Sequence, residues 1–119
     1  MNAIFIPNFS PNKRNAHSKY NSTRTKLDGI TFDSKAEALR YSQLCLMLRS
    51  GQIKRFSRQP SFIISEANGK AARYRPDFIV WDGEKIWVED VKGFATSEFK
   101  TKATMFREKY PYLELRIIK

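Results

Sequence analysis

The chain has 119 residues, 41% of them hydrophobic and 29% charged, with a formal net charge of +10. That length suits about one small domain, the hydrophobic content excludes wholesale disorder, and the basic excess points to a polyanionic partner, nucleic acid before an anionic membrane. The single Cys45 excludes an internal disulfide and a zinc cluster, and no stretch approaches the ~20 apolar residues of a membrane span, so a soluble, cytoplasmic protein is expected.

Residues 1–27 read as a basic, flexible arm. The stretch PNFSPNKRNAHSKYNSTRTK is rich in Asn, Ser and Pro, has no apolar period, and carries Lys13, Arg14, Lys19 and Arg24, which can reach phosphates. Residues 28–119 read as one domain. Asp28-Gly29 signals a turn before the short run Ile30 to Phe32. Ser34 followed by Glu37 forms a capping box and opens a helix that runs to about Ser50, with Gly51 as its stop. Glu37, Tyr41, Leu44 and Leu48 recur at helical spacing and form its expected core face, with an acid at the N-terminal end.

Three candidate strands follow: Gln59 to Ile64, Tyr74 to Trp81, and Lys85 to Lys92. Thr96 or Ser97 caps a second helix that extends to Tyr110, with Phe99, Ala103, Phe106 and Tyr110 on its apolar face and Pro111 ending it. Leu113, Leu115 and Ile117 then alternate with charged residues in a last strand. The expected class is α/β, in the order α-β-β-β-α-β, with a mixed central sheet flanked by helices.

The second and third strands form a hairpin across Asp82-Gly83, and its loop length decides what meets at its far end. A two-residue loop makes Asp77 and Asp90 diagonal neighbours, a four-residue loop sets them directly opposite, and a three-residue loop puts them on different faces. In either even register Arg75, Asp77, Ile79 and Trp81 share a face with Ile86, Val88, Asp90 and Lys92, while Tyr74, Pro76, Phe78, Val80, Trp87 and Glu89 lie on the other. Both faces are largely apolar, so the pair is expected to be central and covered. Lys92 balances one of the two acids, which leaves either a simple salt bridge with surplus charge or a site for a divalent cation. Glu89, adjacent but facing away, reads as surface charge or support.

These residues resemble the PD-(D/E)xK nuclease superfamily. The resemblance rests on Pro76-Asp77, on Asp90-Val91-Lys92 closing the strand WVEDVKG, on the helix opening FDSKAEA with Glu37, and on Gln59-Pro60, all in family order over roughly residues 28–118. Context carries it, because Asp33-Ser34-Lys35 and Glu98-Phe99-Lys100 match the bare triplet without ending an apolar strand. Within the superfamily the chain is similar to short phage-encoded nuclease-like proteins, to Holliday-junction resolvases and to transposase nuclease subunits. The resemblance implies a restriction-endonuclease-like core and a magnesium-dependent DNA endonuclease, with manganese as substitute, acting on branched DNA as a homodimer or with a partner protein in the bacterial host cell.

It further implies that Asp77, Asp90 and the backbone carbonyl of Val91 are metal ligands, that Lys92 positions or activates the attacking water, that Glu37 joins directly or through water, and that Gln59 supports the site. Asp90 stands where many members have Glu. Lys54, Arg55, Arg58, Arg73, Arg75, Lys100 and Lys102, with the arm's cations, are the expected phosphate contacts. The rival expectations are a catalytically silent DNA-binding member of the same fold and a small basic RNA-binding protein without a site.

Overall fold

A computed structural model of the protein describes residues 10–12 and 23–119. Lys13, Arg14 and Lys19, expected to contact phosphates, lie outside the described residues. The chain divides into two compact units, one ending at Gly51 and one beginning at Gln52.

In the first unit, strands β1 (Ser10–Asn12), β2 (Arg24–Leu27) and β3 (Ile30–Phe32) form an antiparallel sheet in that order. Strand β2 falls inside the stretch read as a flexible arm. Its short Thr25-Lys26-Leu27 alternation buries Thr25 and Leu27, and a turn too brief to show in composition pins it to β3. That turn is Asp28-Gly29, with φ of 53° and 77° and Leu27 opposite Ile30, which makes it the two-residue type I′ hairpin that matches strand twist.

Helix α1 (Lys35–Ser50) follows as the sequence implies. The Ser34 side chain accepts a hydrogen bond from the Glu37 N–H at 3.1 Å, and Gly51 ends the helix at φ 83°, donating to the Met47 and Leu48 carbonyls. Ala38 packs with Leu27 and Phe32, whose ring lies 5.1 Å from that of Tyr41. The buried stripe is Glu37, Ala38, Ser42 and Leu44 and ends a turn earlier than expected, leaving Leu48 exposed.

The second unit is built on a four-stranded sheet in the order β4 (Arg55–Arg58), β7 (Phe78–Trp81), β8 (Ile86–Val91), β9 (Glu114–Ile118), with a hairpin of β5 (Phe62–Ala67) and β6 (Lys70–Tyr74) beside it. The sheet is mixed: β4, β7 and β8 are antiparallel, and helix α2 (Ser97–Lys109) carries the chain across so that β9 runs parallel to β8. Thr96 caps α2 by accepting from the Phe99 N–H at 3.1 Å.

Two expected strands are redrawn. Of the stretch from Gln59 to Ile64 only Phe62 to Ile64 is strand, the start of β5, since the chain leaves β4 at Gln59-Pro60, and Tyr74 to Trp81 breaks at Arg75-Pro76-Asp77 into β6 and β7. Proline donates no ladder hydrogen bond, so neither Pro60 nor Pro76 sits within a paired strand. The break at Pro76 frees Tyr74 to pair with Phe62 in the side hairpin, away from β8's ladder.

The core of this unit forms where Phe106 and Ala103 of α2 meet Val88, Leu115, Ile64 and Tyr74. The Phe106 ring lies 5.0 Å from Phe62, 5.2 Å from Tyr110 and 5.5 Å from Tyr74, largely in the tilted and edge-on arrangements aromatic rings prefer. The Tyr110 hydroxyl donates to the Ile63 carbonyl at 2.8 Å and ties the helix end to β5. The inner strands β7 and β8 also bury Phe78, Val80, Trp87 and Glu89. No helix among the described residues is long and apolar enough to cross a membrane.

Candidate active site

The geometry at the end of the hairpin is set at its turn. Asp82 donates its N–H to the Lys85 carbonyl at 3.1 Å, while its carboxylate accepts from the Glu84 and Lys85 amides at 2.8 and 2.7 Å. Trp81 therefore faces Ile86 and the loop holds four residues, an even count. Those two backbone donors hold the Asp82 carboxyl below its ordinary range.

Carried down the ladder, that register reaches Phe78 opposite Glu89 and brings Asp77 to the level of Asp90. Here the pairing changes. The Asp77 N–H donates to the Glu89 carbonyl at 3.0 Å, so Asp77 and Phe78 both address Glu89 in the two-against-one manner of a β-bulge. The Asp77 carboxylate accepts the Val91 N–H at 2.7 Å, and its carbonyl accepts the Gln59 N–H at 2.8 Å. Strand ends β4, β7 and β8 thus hold Asp77 from both sides.

Asp90 is only 2% exposed. Its Oδ2 accepts a hydrogen bond from the Tyr74 hydroxyl, and its Oδ1 lies 3.4 Å from Lys92 Nζ. The Lys92 side chain is 35% exposed, and its ammonium stands 5.0 Å from the centre of the Phe99 ring, a cation–π contact that helps fix its direction. Burial, foremost, and then the neighbouring carboxylates of Asp90 and Asp77 push the Tyr74 hydroxyl far above the ordinary tyrosine range. Both acids therefore act on one phenol, and the phenol stays protonated as the donor to Asp90.

The sequence reading missed Tyr74, which strict alternation had placed on the opposite face. The signal lay in Pro76: a proline two residues on interrupts the pleat, so the alternation counted from Phe78 does not carry back to Tyr74. Glu89 also departs from its expected role as surface charge. It is 0% exposed and accepts a hydrogen bond from the Trp87 indole at 2.9 Å, while the Arg116 guanidinium covers that indole ring at 3.9 Å.

Of the expected site residues, Asp77, Asp90, Val91 and Lys92 come together at the ends of β7 and β8, and Gln59 joins through its backbone, its side chain being exposed. Gln59 holds φ at 52° directly before Pro60. A left-handed residue costs of order 1–3 kcal/mol, and the position before proline favours extended backbone, so this strain sits at the end of β4, where the Gln59 N–H holds the Asp77 carbonyl.

Glu37 is buried in the first turn of α1, in the first unit. Among the described residues no group of three or more His, Cys, Asp and Glu side chains gathers at one place. Of the expected phosphate contacts, Lys54, Arg55, Arg73, Arg75 and Lys100 are exposed on the second unit, Arg58 and Lys102 are half-buried there, and Arg24 is exposed on β2 of the first. Lys102 pairs with Glu98 at 3.2 Å one helical turn away.

No curated protein and no solved structure matches this chain. A family model does match, over residues 17–119, and the chain accordingly belongs to DUF1064, a family described as proteins of unknown function.

Proposed function

We propose that the chain is a metal-dependent DNA endonuclease with a restriction-endonuclease-like core, and that Asp77, Asp90 and Lys92 form its active site. One observation carries the reading: two carboxylates and one lysine converge at the end of a central strand pair, and Asp90 is held there almost wholly out of solvent. A carboxylate as deeply buried as that of Asp90 is stabilised by charged and hydrogen-bonding partners, and a bound cation would add to those that Tyr74 and Lys92 supply.

The donors suit magnesium. They are hard carboxylate oxygens, and magnesium commonly uses one or two carboxylates and completes its shell with waters and a substrate phosphate. Asp77 and Asp90, with the Val91 carbonyl, would hold it. Tyr74 and Lys92 take two of the roughly four lone-pair positions of the Asp90 carboxylate, so acceptor capacity remains. Bound there, magnesium supplies Lewis-acid polarisation of a phosphate and acidifies water.

The chain's own groups do the rest. Tyr74 orients Asp90 from beneath, and the Val91 amide orients Asp77. Lys92, fixed between Asp90 and the Phe99 ring yet open on one side, can donate to the attacking water or to the charge that develops on the phosphate. The exposed cations Arg55, Arg73, Arg75 and Lys100 supply phosphate contacts that locate the backbone and carry no base code. Branched or otherwise distorted DNA is the substrate class this favours, and magnesium with manganese as substitute the cofactor.

A catalytically silent DNA-binding protein of the same fold is the second reading. What favours it is that both Asp90 oxygens already have partners, Tyr74 and Lys92. Incubation with duplex, single-stranded, flapped and four-way-junction DNA in magnesium or manganese separates the two. Cleavage that disappears in Asp77→Asn and Asp90→Asn supports the nuclease; binding of these DNAs without any cutting supports the silent protein.

A further inference from the structure

We infer that Phe94 is a stacking platform for an unpaired DNA base beside the scissile phosphate, so that the substrate is a strand end, flap or junction. This deepens the nuclease reading and rests on it for the place of the scissile phosphate. Phe94 is 71% exposed, in the segment between β8 and α2, two residues beyond Lys92. Two residues span at most ~7 Å, about two base rises of ~3.4 Å along one strand. With its backbone within that span of Lys92, the Phe94 side chain is near enough to meet a nucleotide close to the one being cut.

Packing does not account for Phe94. The aromatic side of α2 is completed by Phe99, which lies under the Lys92 ammonium and 6.3 Å from the Tyr74 ring, and by Phe106. Open space surrounds the preceding Gly93, since a Cβ built there would meet nothing within 4 Å. A second copy of the chain is a poor occupant. A phenylalanine offers about 150–250 Å², against about 800 Å² per partner in a stable interface, and the residues around it in sequence, exposed Gly93, Ser97 and Glu98 with half-buried Ala95 and Thr96, add no large apolar side chain.

A polyanion with flat apolar faces fits better. The exposed Lys100 and Arg75 and the half-buried Lys92 suit a phosphate backbone, and a base presents a π-face whatever its sequence. Inside a duplex both faces of a base are already stacked, and insertion there requires unstacking a step. At a strand end or branch one face is open. The ring therefore selects unpaired over paired DNA.

Fluorescence anisotropy in EDTA, with single-stranded, flapped and blunt duplex oligonucleotides of equal length, tests this without turnover. Phe94→Ala should weaken binding to single-stranded and flapped DNA about 5- to 150-fold, the range for one lost base–aromatic stack, and change duplex binding less than twofold. Phe94→Trp should restore affinity, and its added fluorescence should be quenched by the flapped DNA but not by the duplex. Unchanged flap affinity, equal loss on duplex, tighter binding to RNA of the same sequence, or a change of molecular mass with DNA affinity retained would each overturn the assignment. Failure of this role leaves the hydrolase reading standing if Asp90→Asn still abolishes cutting. A protein that binds flaps through Phe94 yet cuts none in magnesium or manganese removes the hydrolase reading alone.

Discussion

Replacing Tyr74 with phenylalanine isolates the contact that the Pro76 break creates. The ring stays, with its edge-on neighbour Phe106 at 5.5 Å, so no cavity opens and only the hydroxyl is lost. That hydroxyl is the donor to an Asp90 carboxylate 2% exposed to solvent. A hydrogen bond to a charged group contributes about 1.5–3 kcal/mol, so Tyr74→Phe should destabilise the protein by about 2 kcal/mol and lower Tm by about 6–10 °C in a domain of this size.

The same contact predicts a pH dependence of definite sign. An unfolded tyrosine loses its proton near pH ~10, whereas the native Tyr74 hydroxyl titrates higher because burial and then Asp90 and Asp77 oppose the phenolate. Above pH ~10 the native state therefore binds more protons than the unfolded state, and stability falls as pH rises. The contribution is whole below that pH and is lost above it. Between pH 10 and pH 11 the wild type should lose about 1 kcal/mol more than Tyr74→Phe, so the gap narrows from about 2 to about 1 kcal/mol. Urea unfolding of both proteins at pH 7, 10 and 11 measures it, and the other tyrosines cancel in the difference. Equal stability at pH 7, or a gap that widens on the alkaline side, would refute the placement of this hydroxyl on Asp90.

Asp77→Asn and Asp90→Asn should each lower cleavage by about 10²–10³-fold or more while leaving DNA binding in EDTA within a fewfold. Manganese at about 100 times its Kd should stabilise the wild type by about 2.7 kcal/mol and the doubly substituted protein not at all; an equal rise in Tm for both would place the cation elsewhere. Phe106→Ala removes the ring that meets Phe62, Tyr74 and Tyr110 and should cost about 3–5 kcal/mol in chemical denaturation, with a loss under 1 kcal/mol contradicting the described core.

Local chemistry determined much of this protein without help. Ser34 and Gly51 bracket α1, Thr96 caps α2, and Asp28-Gly29 makes a turn, because caps and tight turns are solved within a few residues by side-chain acceptors and left-handed backbone. The register of the hairpin was also legible as far as Phe78, conditional on an even loop, since period-two alternation transmits a register along an unbroken ladder; the bulge that turns Asp77 onto Glu89 was not.

What remained open was settled by tertiary structure. The Asp82 carboxylate could cap a turn of either length, and the four-residue form was selected in the packed sheet. Tyr74 reaches Asp90 because Pro76 breaks the strand and the β5–β6 hairpin folds against α2, a contact between residues 16 apart that no local period encodes. Glu89 looks on paper like any surface acid, and only the layers packed around it decide that it is buried. A sequence names the side chains that can meet; which of them lose water together depends on where distant elements come to rest.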